Sequence, residues 1–171
     1  IDDLSVKHAG SDTELLADGD MEAYQDIVRA TFNWDEWDAA MERSLKLNHF
    51  NTFILSMPGL GGGDYHSRRE GFLLGHAMGT PEHEAIFAAW CQQVREHLRD
   101  KGWLHMAVSY PYDEPHPQDI PFIVSQLQLI KKYFPELKCM IPTNGEAKQE
   151  LVGLQDYWCT MTSGHKQAFA D

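Results

Sequence analysis

Basic residues are scarce in this sequence: 14 Lys and Arg stand against 26 Asp and Glu in 171 residues, a net charge of −12. A surface so short of cations repels phosphate backbones and anionic lipid, which argues against nucleic acid and membrane surfaces as partners. Neutral sugars are not repelled. Cysteine is also scarce. Cys91, Cys139 and Cys159 are odd in number and widely spaced, so they form no disulfide framework, and no CxxC or Cys/His cluster marks a zinc site. Each lies in an apolar run and is expected to be a small buried hydrophobe. The close histidine pairs, His76/His83 and His97/His105, lack the i, i+4 spacing of a helical metal site, so neither metal nor cofactor is expected. No run approaches the roughly 18 to 20 apolar residues that span a bilayer. The start, Ile1-Asp2-Asp3, is neither an initiator methionine nor a signal peptide, so the numbering is expected to begin inside a longer precursor.

What the chain does contain is a globular share of apolar residues, 43%, arranged with alternating helical and strand periods. Residues 1–32 have no clear period and read as a loop or the remnant of an upstream element. From Trp34 to Asn48 the stripe of Trp34, Trp37, Met41, Leu45 and Leu47 predicts a helix capped by Asn33. Phe50 to Met57 reads as a buried strand ended by Pro58-Gly59. A long loop with Gly59, Gly61, Gly62 and Gly63 follows. It lacks the GK[ST] ending of a phosphate loop. A helix over Pro81–Lys101, with Thr80 as N-cap and Pro81 at its first position, buries Ile86, Phe87, Trp90, Cys91, Val94 and Leu98. His105–Tyr112 is the next strand. A helix over Gln118–Tyr133 buries Phe122, Ile123, Leu127 and Ile130. Strands at Leu137–Ile141 and Gln155–Thr160 complete the pattern, with a helical turn near Ala147–Val152 between them. Trp90 and Trp103 are expected in the core.

Strands alternating with helices predict a parallel sheet with crossover helices. The fold class expected is α/β, a TIM-like (β/α)-barrel. A complete barrel takes about 250 residues, and four strands are visible, so residues 33–171 are expected to be an incomplete barrel or a smaller open sheet. Half a barrel exposes apolar edges. Self-association, or completion by further segments of the same barrel, is therefore expected.

The segment richest in chemistry is Ser109-Tyr110-Pro111-Tyr112-Asp113-Glu114-Pro115. Two carboxylates stand where a parallel strand ends, the side on which barrels and open α/β sheets carry their active sites. Neighbouring carboxylates can divide acid and base roles when their environments separate their pKa values. The plain alternative is an acidic strand-to-helix turn. Successive residues of a regular strand point to opposite faces, so Asp113 and Glu114 can serve one ligand only if the strand kinks there.

Across residues 33–160 the order of several segments resembles glycoside hydrolase family 123. They are the Trp34-Asp35-Glu36-Trp37 helix leading into Leu47-Asn48-His49-Phe50-Asn51-Thr52-Phe53, and Pro58-Gly59-Leu60-Gly61-Gly62-Gly63. Then come His97-Leu98-Arg99-Asp100-Lys101-Gly102-Trp103-Leu104, Tyr110-Pro111-Tyr112-Asp113-Glu114-Pro115, and Leu154-Gln155-Asp156-Tyr157-Trp158-Cys159. Its familiar members are β-N-acetylgalactosaminidases with a (β/α)-barrel. The resemblance implies a glycan substrate and substrate-assisted retention. The substrate's own 2-acetamido carbonyl attacks the anomeric carbon, Glu114 is acid and then base, and Asp113 holds the acetamido N–H. It also implies an extracellular or periplasmic setting, and further strands before and after those visible. The family usually has another aromatic where Pro111 stands.

Tyr112, paired with Glu114 by strand parity, is a candidate substrate contact. So are Tyr65 and His66 in the long loop, Trp158 on the last strand as a sugar platform, and Asn144 after the strand that ends at Ile141. Packing or turn roles are the alternatives for each. Two other functions remain open: a glycosidase of the same fold on sugars without a 2-acetamido group, using a further carboxylate as nucleophile, and a non-catalytic carbohydrate-binding relative.

Overall fold

The computed structural model describes residues 32–143 and 148–160. The upstream segment through residue 31, Asn144 and the start of the turn expected at Ala147 lie outside the described residues. The centre of the molecule is a four-stranded sheet: β1 (Phe53–Ile54), β2 (Ala107–Ser109), β3 (Lys138–Thr143) and β4 (Tyr157–Thr160). All neighbouring pairs are parallel, and the strands lie side by side in chain order. Helix α1 (Asp35–Lys46) precedes β1. Helix α2 (Pro81–Asp100) links β1 to β2, and α3 (Ile120–Tyr133) links β2 to β3. A 3-10 turn, Gln149–Leu151, lies in the described part of the last crossover. The protein is thus a mixed α/β domain with a parallel sheet flanked by helices. No helix among the described residues is long and apolar enough to cross a membrane.

The helices follow from their sequence signals. Thr80 caps α2, its hydroxyl accepting from the His83 N–H at 3.3 Å, and Pro81 takes the first turn, where a missing N–H costs nothing. The face of α2 expected from the periodicity is buried at Ile86, Phe87, Cys91, Val94 and Leu98, with Trp90 packed at its margin. In α3, Ile123, Leu127 and Ile130 are completely buried, worth about 1.5–3 kcal/mol each in transfer free energy. Phe122 is instead half-buried beneath the Arg68 guanidinium, 5.1 Å from its ring. Helix α1 lies differently from a core helix: none of its residues is fully buried. Trp34, Trp37, Met41 and Leu45 only rest against the core, and Leu47 is 72% exposed rather than continuing the stripe. Asn33 does accept the Asp35 N–H, at 3.0 Å, but the capping position itself belongs to Trp34.

The strands are shorter than the apolar runs that announce them. Of Phe50–Met57 only Phe53 and Ile54 form ladder pairs, with Leu55 adding one bond to Val108 O at 2.8 Å. Strand β1 borders only β2 among the described residues, so Phe50 and Ile54 stay more than half exposed. The run from His105 opens with a 3-10 turn, Leu104–Met106, before β2 begins. Cys91 and Cys139 are buried, and burial pushes their thiols up to about 12 and about 11. Cys159 departs from the expected burial: it is exposed on β4, which borders only β3 among the described residues.

One carboxylate fastens β4 to β3. The Asp156 carboxylate accepts the Cys139 N–H at 2.9 Å and pairs with Lys131 at 2.7 Å and Lys138 at 3.0 Å. Its own N–H donates to Cys139 O at 2.8 Å. Burial opposes ionisation, but the two ammonium groups and the amide outweigh it and hold the carboxyl below its ordinary value. A depressed carboxylate pKa stabilises the fold above the unfolded-state value of about 3.9, and that stability is lost as pH falls through the folded value. Asp156→Asn is expected to cost about 1–2 kcal/mol in urea unfolding at pH 7. The penalty shrinks when the same titration is run near pH 3. An equal penalty at both pH values would show that the charge contributes nothing.

Candidate functional site

Beyond the C-terminal ends of β1 and β2 the chain forms two loops that lean on each other, and residues far from the chemistry fix the first of them. Buried His83 on α2 donates from Nε2 to Gly59 O at 2.8 Å. The buried Gln126 amide on α3 donates to Leu60 O. These two bonds hold the glycine-rich turn against the helices, and Gly62–Gly63 then pair antiparallel with Arg68–Arg69. Gly63 also bridges to Tyr112, and the Asp113 N–H donates to Gly63 O at 2.9 Å.

Glycine is required at this junction for steric reasons. A Cβ on Gly63 would lie 2.2 Å from Ser67 O and 2.7 Å from the Tyr112 ring. One on Gly62 would lie 2.7 Å from Pro111 O. Since these neighbours are largely backbone, they cannot swing aside. Gly63→Ala is expected to destabilise the protein by about 1–3 kcal/mol, in the range of overpacked sites. It also displaces the Asp113 anchor, which a shift of the Asp113 amide resonance in a nitrogen–proton correlation spectrum would report. A neutral substitution with an unmoved amide would contradict this reading of the junction.

Strand β2 stops at Ser109, so the parity rule does not govern Asp113 and Glu114. Both are exposed in a bend, and Glu114 has a φ of +41°. For a residue with a Cβ, left-handed backbone costs about 1–2 kcal/mol. The backbone therefore leaves the strand conformation at Glu114. The Asp113 carboxylate is oriented: Tyr110 Oη donates to its Oδ1 at 2.6 Å. Burial and the Asp113 bond both push the Tyr110 phenol up, so it remains a donor throughout the physiological range. Glu114, by contrast, has no hydrogen-bond or ion-pair partner among the described residues. One held carboxylate beside one uncommitted carboxylate can divide hydrogen-bond acceptance from proton transfer. The hydroxyls of Ser109 and Thr143, which end β2 and β3, are buried without a partner among the described residues. The sheet therefore has polar groups to satisfy at this same end.

The other candidates separate. Tyr65 and His66 sit on the tip of the hairpin that runs from Gly62 to Arg69, and both are exposed. Asp64 shapes that tip by accepting the His66 N–H at 2.8 Å and the Ser67 N–H at 2.9 Å, bonds that hold its carboxyl below the ordinary value. The Tyr65 ring lies 5.3 Å from the ring of His116, three residues after Asp113. Tyr112 is corrected: at 1% exposure it offers no face to a ligand. Its hydroxyl donates to Asp119 Oδ2 at 2.8 Å, and burial with that carboxylate pushes the phenol up to about 12. The Gly63 bridge turns it inward, overriding the parity expectation. Trp158 stands opposite Ile141 in β4 and packs half-buried on the core. Asn144 lies outside the described residues.

Sequence reasoning missed Tyr110, Asp119 and Arg68. The only available signal for Tyr110 was its i, i+3 spacing to Asp113. Arg68 and Asp119 are 51 residues apart and meet only in the fold, at 3.2 Å. No protein-family profile matches the chain, and no curated protein matches it.

Proposed function

We propose that the protein is a glycoside hydrolase that removes terminal N-acetyl-β-hexosaminides, N-acetylgalactosamine favoured, with retention through the substrate's own acetamido group. The observation that carries the reading is the turn after β2: Asp113 is held by the Tyr110 hydroxyl, and Glu114 beside it is exposed, in left-handed backbone, and without a hydrogen-bond or ion-pair partner among the described residues. Left-handed backbone also occurs at His49 and Leu74, so it supports the reading only together with the oriented carboxylate beside it.

In the proposed reaction the acetamido carbonyl oxygen attacks the anomeric carbon as Glu114 protonates the departing oxygen. Asp113 accepts the acetamido N–H and stabilises the positive charge that spreads over the oxazolinium ring. Glu114, now ionised, takes a proton from water as that water opens the ring. No carboxylate nucleophile on another strand is needed, so two adjacent side chains suffice. The strand order supports placing this site on a (β/α)-barrel. Four parallel strands in unbroken chain order lack the reversal of a doubly wound sheet, and the site stands beyond their C-terminal ends. Closure would involve further segments or a second copy of the chain, in keeping with the exposed Phe50 and Ile54 beside β1.

The test is a panel of aryl glycosides assayed with the longest form of the protein: N-acetyl-β-galactosaminide, N-acetyl-β-glucosaminide and the two matching 2-hydroxy sugars. Cleavage confined to the acetamido pair is the expected result. Equal cleavage of the 2-hydroxy sugars points to a carboxylate nucleophile instead. An inert panel overturns the proposed activity on terminal hexosaminides.

A further inference from the structure

Asp119 stands at the N-cap of α3, where an aspartate usually accepts a backbone N–H, yet its side chain caps nothing. It is turned inward instead and is 5% exposed. Its Oδ1 accepts from Arg68 at 3.2 Å, and its Oδ2 accepts from the Tyr112 hydroxyl at 2.8 Å. Burying a carboxylate is costly even when it is paired, so a helix start does not by itself explain this one. We infer that Asp119 is a positioning residue: acting through Tyr112, it staples the neck of the loop that carries Asp113 and Glu114 and holds Glu114 in its left-handed conformation. The inference rests on the reading of that loop as the reactive turn.

The bond joins residues seven apart in the chain, so it closes the loop 113–118 between two buried side chains. Fixing both ends of so short a loop removes most of its conformations. Glu114 needs that constraint. Its φ of +41° is disfavoured by its own Cβ, and also by Pro115, because a residue before proline is pushed towards extended backbone. The Glu114 side chain has no hydrogen-bond or ion-pair partner among the described residues, so the conformation is imposed by its neighbours. Tyr112 is drawn inward on one side of it, and Pro115 is buried on the other.

Arg68 extends the staple to the hairpin. It stands opposite Gly63 in the antiparallel register. Gly63 in turn accepts the Asp113 N–H and lies against the Tyr112 ring. The contacts close on themselves: Asp119 to Arg68, Arg68 to Gly63 across the hairpin, Gly63 to Tyr112 and Asp113, and Tyr112 back to Asp119. Glu70, 2.8 Å from Arg68, and the Phe122 ring beneath the guanidinium keep Arg68 in place. Asp119 is the one member of this circuit that joins the start of α3 to both the hairpin and the turn.

The experiment uses the full chain with Tyr112→Phe, Asp119→Ala or both. Phenylalanine keeps the ring against Gly63 and deletes only the hydroxyl, so this variant decides alone if Asp119→Ala does not fold. Two measurements are made on variants that urea titration shows to be folded. The first is the intraresidue amide–Hα cross-peak of Glu114 in a nitrogen-resolved NOE spectrum, which is strong when φ is positive. It is expected in the parent and lost in each variant. The second is cleavage of an alkyl N-acetyl-β-galactosaminide: kcat should fall by about tenfold with KM changed by less than about twofold, as for a misplaced acid. Because Asp119 acts through Tyr112, the double variant should be no slower than the slower single one. A parent without the cross-peak, or folded variants that keep it, overturn the inference and leave Asp119 a packing residue. A lost cross-peak with unchanged kcat overturns the positioning role, and additive losses in the double variant overturn action through Tyr112. If the parent cleaves no acetamido glycoside, the glycosidase reading fails on its own. The cross-peak then decides the staple: loss in Tyr112→Phe sustains it and persistence overturns it.

Discussion

Glu114→Gln is expected to lower kcat/KM for an N-acetyl-β-galactosaminide bearing an alkyl or sugar leaving group by about 10²–10⁴-fold, the usual contribution of a positioned general acid. That is about 3–5 kcal/mol of transition-state stabilisation. Glutamine keeps the volume and the side-chain oxygen but has no proton to deliver. The side chain is exposed and has no partner among the described residues, so the thermal midpoint should move by less than a degree or two. The size of the loss should track the leaving group. A nitrophenolate departs almost without help, so its release is much less sensitive to the substitution than that of an alkoxide. A second replacement separates the acid from its backbone. Glu114→Gly removes the acid and also relieves the left-handed conformation at φ +41°. Glycine elsewhere costs about 0.5–1 kcal/mol, but here relief of strain offsets that cost, and stability should be unchanged or slightly raised. A protein that loses activity while keeping or gaining stability has its strain invested in function. Unchanged kcat/KM in Glu114→Gln across all leaving groups would remove Glu114 from the mechanism.

The framework of this domain was legible because its signals are local. Thr80-Pro81 at the start of α2, and the spacing of Ile123, Leu127 and Ile130 in α3, each state a conformation and a buried face within one element. The four parallel strands followed from the alternation of these helices with apolar runs. What could not be read was set across the fold. Leu47 fits the stripe of α1 yet lies past the point where that helix rests on the core. Strand β1 is cut to two paired residues because pairing needs a neighbour, and hydrophobicity alone cannot supply one. Tyr112 shows the same limit within the candidate site. Strand parity aims it at the ligand, but the bridge to Gly63 and the bond to Asp119 draw it into the core. Asp113 and Glu114 were visible as a pair, while the left-handed backbone at Glu114 appears only as a dihedral angle. The Asp119–Arg68 pair was invisible in the sequence because nothing there relates residues 51 positions apart.

These long-range bonds also explain how a loop can carry precise chemistry. Asp113 follows a strand of three residues, which alone would leave it loosely placed. The glycine-rich turn beside it is fastened to α2 through His83 and to α3 through Gln126, both buried. Gly63 passes that rigidity on through a backbone bond to Asp113, and Tyr110 fixes the side chain. The Asp113–Glu114 turn is therefore positioned by the same helices that close the core.

Asp113→Asn is the substitution that tests the acetamido mechanism itself. If Asp113 accepts the acetamido N–H, its negative charge stabilises the oxazolinium-like transition state more than the neutral ground state. Asparagine can still accept with its carbonyl oxygen, but the charge is gone. Loss of the charge at that contact is expected to lower kcat by about 10²–10³-fold, with KM changed by less than about fivefold. The amide has a second chance to fail: Tyr110 Oη now donates to the amide carbonyl, which turns the NH₂ group towards the substrate's own N–H. Tyr110→Phe separates these contributions. It removes the hydroxyl that orients Asp113 and leaves the charge, so kcat should fall less, by about tenfold, and Asp113→Asn should cost less in that background than alone. The decisive comparison is between substrates. Any slow cleavage of a 2-hydroxy glycoside, which has no acetamido group to hold, should be nearly indifferent to Asp113→Asn. Equal losses on acetamido and 2-hydroxy sugars would make Asp113 a general electrostatic or structural group, and a carboxylate on another strand would then have to be sought as the nucleophile.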